Sequence, residues 1–345
     1  MKLEQFDPAA AEAEVRACHE IYLAGRPVDD PDGPPMSARF FAGWLTLGWS
    51  EDPQEVWLAR DRQGEPRGWY VLRLPHRENP HLALLDLVVH PAHRRAGLGT
   101  ALLRHAAGRA RQSGRTVLNS YSRDGSPGSA FASTIGARHG LTHVGRVLRL
   151  TGLPAGRLAG LRAQAEPAAR GYALLSWDGP APEDLVAGLA AINSAAWADM
   201  PRDAGEEGQR WDETRVRQDE RRSAAQGLRR YTVAARSLAS GELAAFTQLA
   251  VDPAEPSWGF QELTAVDRPH RGHRLGLLVK VAMLELLAAR EPQLTQVITG
   301  NAGANQHMIA INAQLGFEVL DEWPSWELDV DRALTAGRQA VSVTS

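Results

Sequence analysis

Apolar and polar positions along the chain follow two periods, and the switch between them runs in the same order twice. In the first half, residues 10–24 and 38–48 carry apolar positions at helical spacing. "EVWLARD" and "RGWYVLRL" then alternate as strands do, and "RQGEPRG" supplies the turn of a hairpin. "LALLDLVV" is a further strand, "LGTALLRHAAGRARQSG" is an amphipathic helix ended by Gly114, and "TVLNSYS" and "LTHVGRVLRL" are later strands. The second half repeats the plan. "PEDLVAGLAAINSAAW" and "WDETRVRQDERRSAAQG" suit helices, "RRYTVAARS" and "ELAAFTQLAV" a hairpin, and "GFQELTAV" the next strand. A helix "LGLLVKVAMLELLAAREP" stops at Pro292, and "QVITGN", a helix "NQHMIAINAQLG" and a last strand "EWPSWELDV" complete the unit. Strands alternating with helices predict a mixed α/β architecture.

Length agrees with this duplication. The chain has 345 residues, which exceeds one ordinary core and suits two. We expect an amino-terminal domain over 1–152, an Ala/Gly/Pro-rich connector over 153–170, a second domain over 171–335 and a tail over 336–345. Net charge is −3, from 38 basic and 41 acidic residues, so nothing global points to nucleic acid or an acidic lipid surface. The one cysteine, Cys18, can form no internal disulfide, and the amino terminus lacks the apolar core of a signal peptide. No apolar run approaches the ~18 residues that cross a membrane. A cytoplasmic protein without nucleic-acid or membrane partners is the expectation; the sequence is silent on oligomeric state.

Two stretches carry the chemistry: "VVHPAHRRAGLGTALL" (88–103) and "AVDRPHRGHRLGLLVK" (265–280). Val89 falls on Val266, His93 on His270, Arg94 on Arg271, Leu98 on Leu275 and Gly99 on Gly276, all at one offset. A strand that runs through a Gly-rich loop into a helix exposes unpaired N–H groups at the positive end of the helix dipole, which is an anion site. Glycines let a pyrophosphate approach the backbone, and an arginine can add charge-assisted bonds. Neither loop has the lysine of a P-loop, and Leu102 stands where a dinucleotide fingerprint needs a small residue. The second copy has Arg274 where the first has Gly97, a change expected to remove conformational freedom there.

Arg94-x-x-Gly97-x-Gly99 after "LDLVVHP" resembles the acyl-coenzyme A loop of GNAT-type N-acetyltransferases, whose usual pattern is Gln/Arg-x-x-Gly-x-Gly/Ala. The second half is similar through Arg271 to Gly276, followed by Asn301, Asn305, Met308, Asn312 and "LGF". The resemblance implies two tandem domains, each a mixed, mostly antiparallel sheet flanked by helices. It implies acetyl-CoA, or another acyl-CoA, as cosubstrate, with no metal. Its pyrophosphate would lie on Arg94, Arg95, Ala96, Gly97, Leu98, Gly99 and Thr100 in one copy, and on Arg271, Gly272, His273, Arg274, Leu275 and Gly276 in the other. Pantetheine would pair with Leu87, Val88 and Val89, or with Ala265 and Val266; Asn301 and Asn305 could bond its amides or cap the following helix.

Transfer to an amine needs a base that takes its proton. Glu262 stands four residues before Val266, where the family commonly places one; the alternative is a surface or rim carboxylate that pairs with an arginine. Asp86 is the weaker counterpart of Glu262, since strand alternation turns it to the other face unless a bulge intervenes. The family's usual acid is a tyrosine; its position holds Asn312 here, and Ala132 in the first half. Cys18 has no paired histidine, so direct attack is favoured over an acyl-cysteine route. The expected reaction is acetyl transfer to the amine of a small molecule. The alternatives are a coenzyme A-binding sensor or scaffold without turnover, and a protein or peptide N-acetyltransferase.

Overall fold

The computed structural model describes residues 1–48, 50, 52–203, 205–302 and 305–337; the rest of the expected tail, 338–345, lies outside them. It separates into two units, Met1–Thr142 with Glu322–Ser345, and His143–Asp321.

The first unit begins with strand β1 (Lys2–Phe6), helices α1 (Glu12–Asp29) and α2 (Ala38–Leu47), and strands β2 (Gln54–Arg60), β3 (Pro66–Arg73) and β4 (Leu82–Val89). Helix α3 (Leu98–Gln112), strand β5 (Val117–Tyr121) and helix α4 (Pro127–Thr134) follow. β1 to β4 pair antiparallel in chain order, and β5 joins β4 in parallel. Alternation along β3 and β4 sorts the apolar side chains onto two faces. Tyr70, Leu72, Leu85 and Val89 pack with Leu102, Leu103 and Ala106 of α3, while Trp69 and Val71 pack with Val15 and Cys18 of α1 and Phe41 and Trp44 of α2.

Strand β6 (Arg138–Arg149) leads into the second unit, which continues with α5 (Arg157–Ala165), β7 (Tyr172–Asp178), α6 (Glu183–Asp199) and α7 (Glu213–Ala225). Then come β8 (Arg229–Ser237), β9 (Leu243–Val251), β10 (Trp258–Val266), α8 (Leu275–Arg290), β11 (Gln296–Ala302) and α9 (Gln306–Leu315). β7 to β10 are antiparallel in order, β11 is parallel to β10, and β6 closes the far edge of β11 from His143 to Arg149. Again the sheet has two faces: Tyr231, Val233 and Ala235 of β8 pack with α8, whereas Ala234 and Phe246 pack with α6.

The chain ends in strand β12 (Glu318–Asp329) and helix α10 (Val330–Thr335). β12 does not complete the sheet that precedes it in sequence. From Ser325 to Asp329 it pairs with β5 of the first unit. Each repeat therefore lends its last strand: β6 to the second sheet and β12 to the first. The units divide at 142/143 and 321/322, and 153–170, expected as a connector between domains, lies inside the second unit as α5 and a short turn. Four further elements were absent from the sequence reading: strands β1 and β7 and helices α4 and α10.

Candidate functional site

Each unit has a place where its central parallel pair opens. In the first, only Leu82–Leu84 pair with Val117–Asn119, although β4 stays on β3 as far as Val89. In the second, only Trp258–Phe260 pair with Gln296–Ile298, while β10 stays on β9 to Val266. Leu87 to Val89, and Ala265 with Val266, lie on the stretches past the opening, where one edge of the strand has no neighbouring strand to take its backbone groups. An extended, amide-bearing ligand can pair there.

The loops after these strands have the same backbone. Each makes a short turn (Pro91–His93, Arg268–His270), passes through an extended arginine (Arg94, Arg271) and enters its helix through two left-handed residues. In the first copy these are Arg95 (φ 64°) and Gly97 (φ 82°); in the second, Gly272 (φ 85°) and Arg274 (φ 53°). Each loop thus spends one glycine and one arginine on the left-handed positions, in opposite order. Arg274 keeps the backbone path of the loop and adopts the strained left-handed conformation at a cost of about 1–2 kcal/mol. Gly276 has a different task. A Cβ there would stand 3.1 Å from Ile311 Cδ1 and 3.6 Å from Val266 Cγ2, so its absence lets the start of α8 sit close to β10 and α9.

No side chain caps α3 or α8. Their first-turn N–H groups point into the mouth of each loop with the positive end of the helix dipole, an arrangement that suits a phosphate. Arg95, Ala96, Gly97 and the loop residues Arg271 to Arg274 are exposed, while Leu98, Gly99 and Thr100 are half-buried and Leu275 and Gly276 buried.

The leading arginines are already engaged. Arg94 Nε donates to the Val89 carbonyl (3.0 Å) and its two terminal nitrogens grip Asp29 at the end of α1 (2.9 and 2.5 Å). Arg271 repeats this, with Nε on the Val266 carbonyl (3.3 Å) and Nη2 on Asp199 at the end of α6 (2.6 Å); Arg268 grips the same carboxylate. Hydrogen bonds from Arg268 and Arg271 hold Asp199 down to about 2. These arginines brace the loop against the strand and the preceding helix, and the backbone is left to meet the anion. Asp29 and Asp199 have no distinguishing local signal in the sequence; they are recognisable only as partners.

The two copies differ beyond the loop. In the first, Asp86 is ion-paired with buried Arg73, which lies over the Trp44 ring at 5.6 Å. β4 runs through Asp86 in regular register with β3, and Asp86 lies on the α1/α2 face with Arg73 and Trp44, the face equivalent to that of Glu262 and not the opposite one expected from strand alternation, because the irregularity is in β10. In the second, the register of β10 shifts between Gln261 and Thr264, and Glu262 lies on that irregularity. Its carboxylate is 2.7 Å from Arg230 Nε. Arg230 is buried and also meets Asp219 of α7 at 2.5 Å and Gln248 at 3.0 Å. The two carboxylates push the guanidinium of Arg230 further toward its charged form, and the flanking arginines lower Asp219 despite its burial. Glu262 is thereby held, half-buried, on the face that α6 and α7 cover.

The opposite face, under α8 and α9, carries the asparagines. Asn312 is fully buried; its Nδ2 donates to Asn301 Oδ1 (2.8 Å), and its Oδ1 accepts from Lys280 Nζ (2.7 Å). Asn305 caps α9, accepting from Met308 N (3.3 Å). Of the histidines near the loops, His93 meets Arg67 and His270 meets the Tyr172 hydroxyl, at 2.9 and 3.0 Å. Cys18 is buried in the core between α1 and the sheet, which pushes its thiol up. The residues that sequence reasoning missed are Arg230 and Lys280, the latter concealed inside an apolar helix.

A split central pair, a left-handed loop and an uncapped helix, twice over, define an acyl-coenzyme A-binding architecture of the acetyltransferase type. The model of the Acetyltransferase (GNAT) family matches residues 15–124, a segment of the first unit, and the whole chain is similar to tandem GNAT proteins. It is similar to a tandem GNAT protein from the clavulanic acid biosynthesis pathway, solved without AcCoA: 27% identical, TM-score 0.78, over 95% of this chain and 98% of that one. A GCN5-related N-acetyltransferase from Sphaerobacter thermophilus shares the fold at 17% identity and TM-score 0.62, with 95% of each chain covered. So does the glucosamine N-acetyltransferase region of a fungal multi-domain enzyme, at 15% identity and TM-score 0.62 over 95% of this chain and 38% of that one. No curated protein matches. Among the described residues no helix is long and apolar enough to cross a membrane. The family's activity is acyl transfer from acetyl-CoA to nitrogen, and this chain has the architecture for it.

Proposed function

We propose that the protein transfers an acetyl group from acetyl-CoA directly to the amine of a small molecule, and that the second unit performs the chemistry. The observation that carries this reading is the division of polar groups about the opening of β10 and β11: Glu262 on the α6/α7 face, and Asn301 with Asn312 on the α8/α9 face. A thioester lying in the opening would have a carboxylate on one side, to accept the proton of an attacking amine, and amide groups on the other, beside the sulfur. The first unit has no such pairing. Ala132 stands where Asn312 does, so no equivalent amide lies across the opening from Asp86; we assign that unit a binding role through its loop at 94–100.

The bound coenzyme would present its pyrophosphate to the α8 N-terminus and the backbone of Arg271 to Gly276, and its pantetheine amides to Ala265 and Val266. The ion pair with Arg230 holds the Glu262 carboxylate in place. In the reaction the nitrogen lone pair attacks the thioester carbon, the C–S pair passes to sulfur, and Glu262 takes the excess proton from nitrogen, directly or through one water.

Calorimetric titration with acetyl-CoA, repeated on Gly97→Trp and Arg271→Glu, assigns each binding site. Glu262→Gln keeps an oxygen for Arg230 but removes the base. Acyl transfer should fall by ~100-fold or more with coenzyme affinity unchanged. Undiminished turnover would remove Glu262 from the reaction, and no binding at millimolar acetyl-CoA would remove the reading altogether.

A further inference from the structure

Of the 38 basic residues only Lys2 and Lys280 are lysines. Lys2 is exposed at the chain's start, whereas Lys280 is buried in α8 with its ammonium 5.2 Å from the Phe317 ring. The corresponding position of the first unit is Leu103, an ordinary core residue. A cation in so apolar a helix is costly to bury. Its hydrogen bond goes to Asn312, which occupies the position of the family's usual acid and passes the bond on to Asn301.

We propose that Lys280 is a positioning residue: it fixes the direction of the amide chain Lys280–Asn312–Asn301 so that Asn301 offers an N–H donor to the coenzyme sulfur. The proposal rests on the acyl-transfer reading of this unit. The direction follows from donor chemistry alone. An ammonium has donors and no acceptor, so Asn312 must turn its Oδ1 toward Nζ. Its Nδ2 then faces Asn301, which can meet it only with Oδ1. The remaining amide donors of Asn301 are those directed away from Asn312, and Asn301 stands on β11 beyond Ile298, the last residue paired with β10, on the stretch that borders the opening. In transfer, the C–N bond forms, the C–S bond breaks with its electron pair on sulfur, Glu262 receives the nitrogen's proton, and the Asn301 N–H stabilises the thiolate by hydrogen bonding until solvent protonates it. No side-chain acid is needed.

The test needs no acceptor. Full-length protein carrying Gly97→Trp, so that the second loop alone is read, is titrated at pH 6, where Lys280 holds its proton, with coenzyme A and with desulfo-coenzyme A, which lacks the sulfur. Coenzyme A should bind about 10-fold more tightly. Asn312→Asp keeps a partner for Lys280 but has no N–H for Asn301, so the chain reverses; the preference should vanish while desulfo-coenzyme A binds as before. Lys280→Met should lose the preference, and Lys280→Gln, which still donates, should retain it. A preference surviving both Asn312→Asp and Lys280→Met overturns the proposal. Failure of both ligands to bind the Gly97→Trp protein at millimolar concentration overturns the proposal together with the acyl-transfer reading.

Discussion

Replacing Lys280 with methionine separates the cost of burying its charge from the value of its hydrogen bond. Burial alone drives the lysine down from 10.5 to about 7. Between those values the unfolded chain holds a proton that the folded chain has released, so stability rises with pH across this window. Below pH 7 both states are protonated and the full penalty applies. At 1.36 kcal/mol per unit, the difference between 10.5 and about 7 corresponds to about 5 kcal/mol. Methionine removes that penalty but strands the Asn312 oxygen, at about 1–3 kcal/mol. The variant should therefore be more stable than wild type by about 2–4 kcal/mol at pH 6, and less stable by about 1–3 kcal/mol at pH 10. Hydrogen exchange of the α8 peptides in a urea series, which reads this unit by itself, gives both differences. Parallel pH dependence of the two proteins from pH 6 to 10 would refute the reasoning, because it would mean that Lys280 keeps its proton throughout.

The left-handed positions make a second prediction. Arg274→Gly should stabilise the second unit by up to about 1 kcal/mol and Gly272→Ala should destabilise it by about the same amount, measured as shifts in the denaturation midpoint. The brace makes a third: Asp199→Asn should weaken acetyl-CoA binding to the second loop by roughly 3- to 10-fold, in calorimetry, with turnover at saturation unchanged. The sign of its pH dependence is fixed too. The folded value of Asp199 is lowered, to about 2, so its contribution is present above the ordinary carboxylate range and disappears as pH falls toward 2.

How much of this was legible in the sequence depended on whether the relevant partner was near in the chain. The β2–β3 hairpin, the strand–loop–helix units and the constant offset between Arg94 and Arg271 are local patterns, and they led to the correct fold and family. β1 has five residues, only part of them covered, and is too short and too exposed to show a period. The segments of β6 and β12 were both recognisable as strands, but nothing in either says which sheet will take it, because register and partner are set by packing. The site divides in the same way. Glycine spacing announced the loops, whereas the engagement of Arg94 depends on Asp29, 65 residues away. An isolated lysine in "LGLLVKVAMLELL" looks like a break in an apolar face until Asn312 is set beside it.

The borrowed strands fix when this protein can acquire its structure during synthesis. When the ribosome has made the first 152 residues, every loop and helix of the first repeat exists, but β5 has only its three-residue parallel pairing with β4. Its other edge waits for Ser325–Asp329, which are made only after the whole of the second unit. The amino-terminal half is thus translated first and completed last, and a gene cut at the apparent repeat boundary would encode two halves that each carry the other's closing strand. The two repeats therefore form a single coding unit that cannot be divided there.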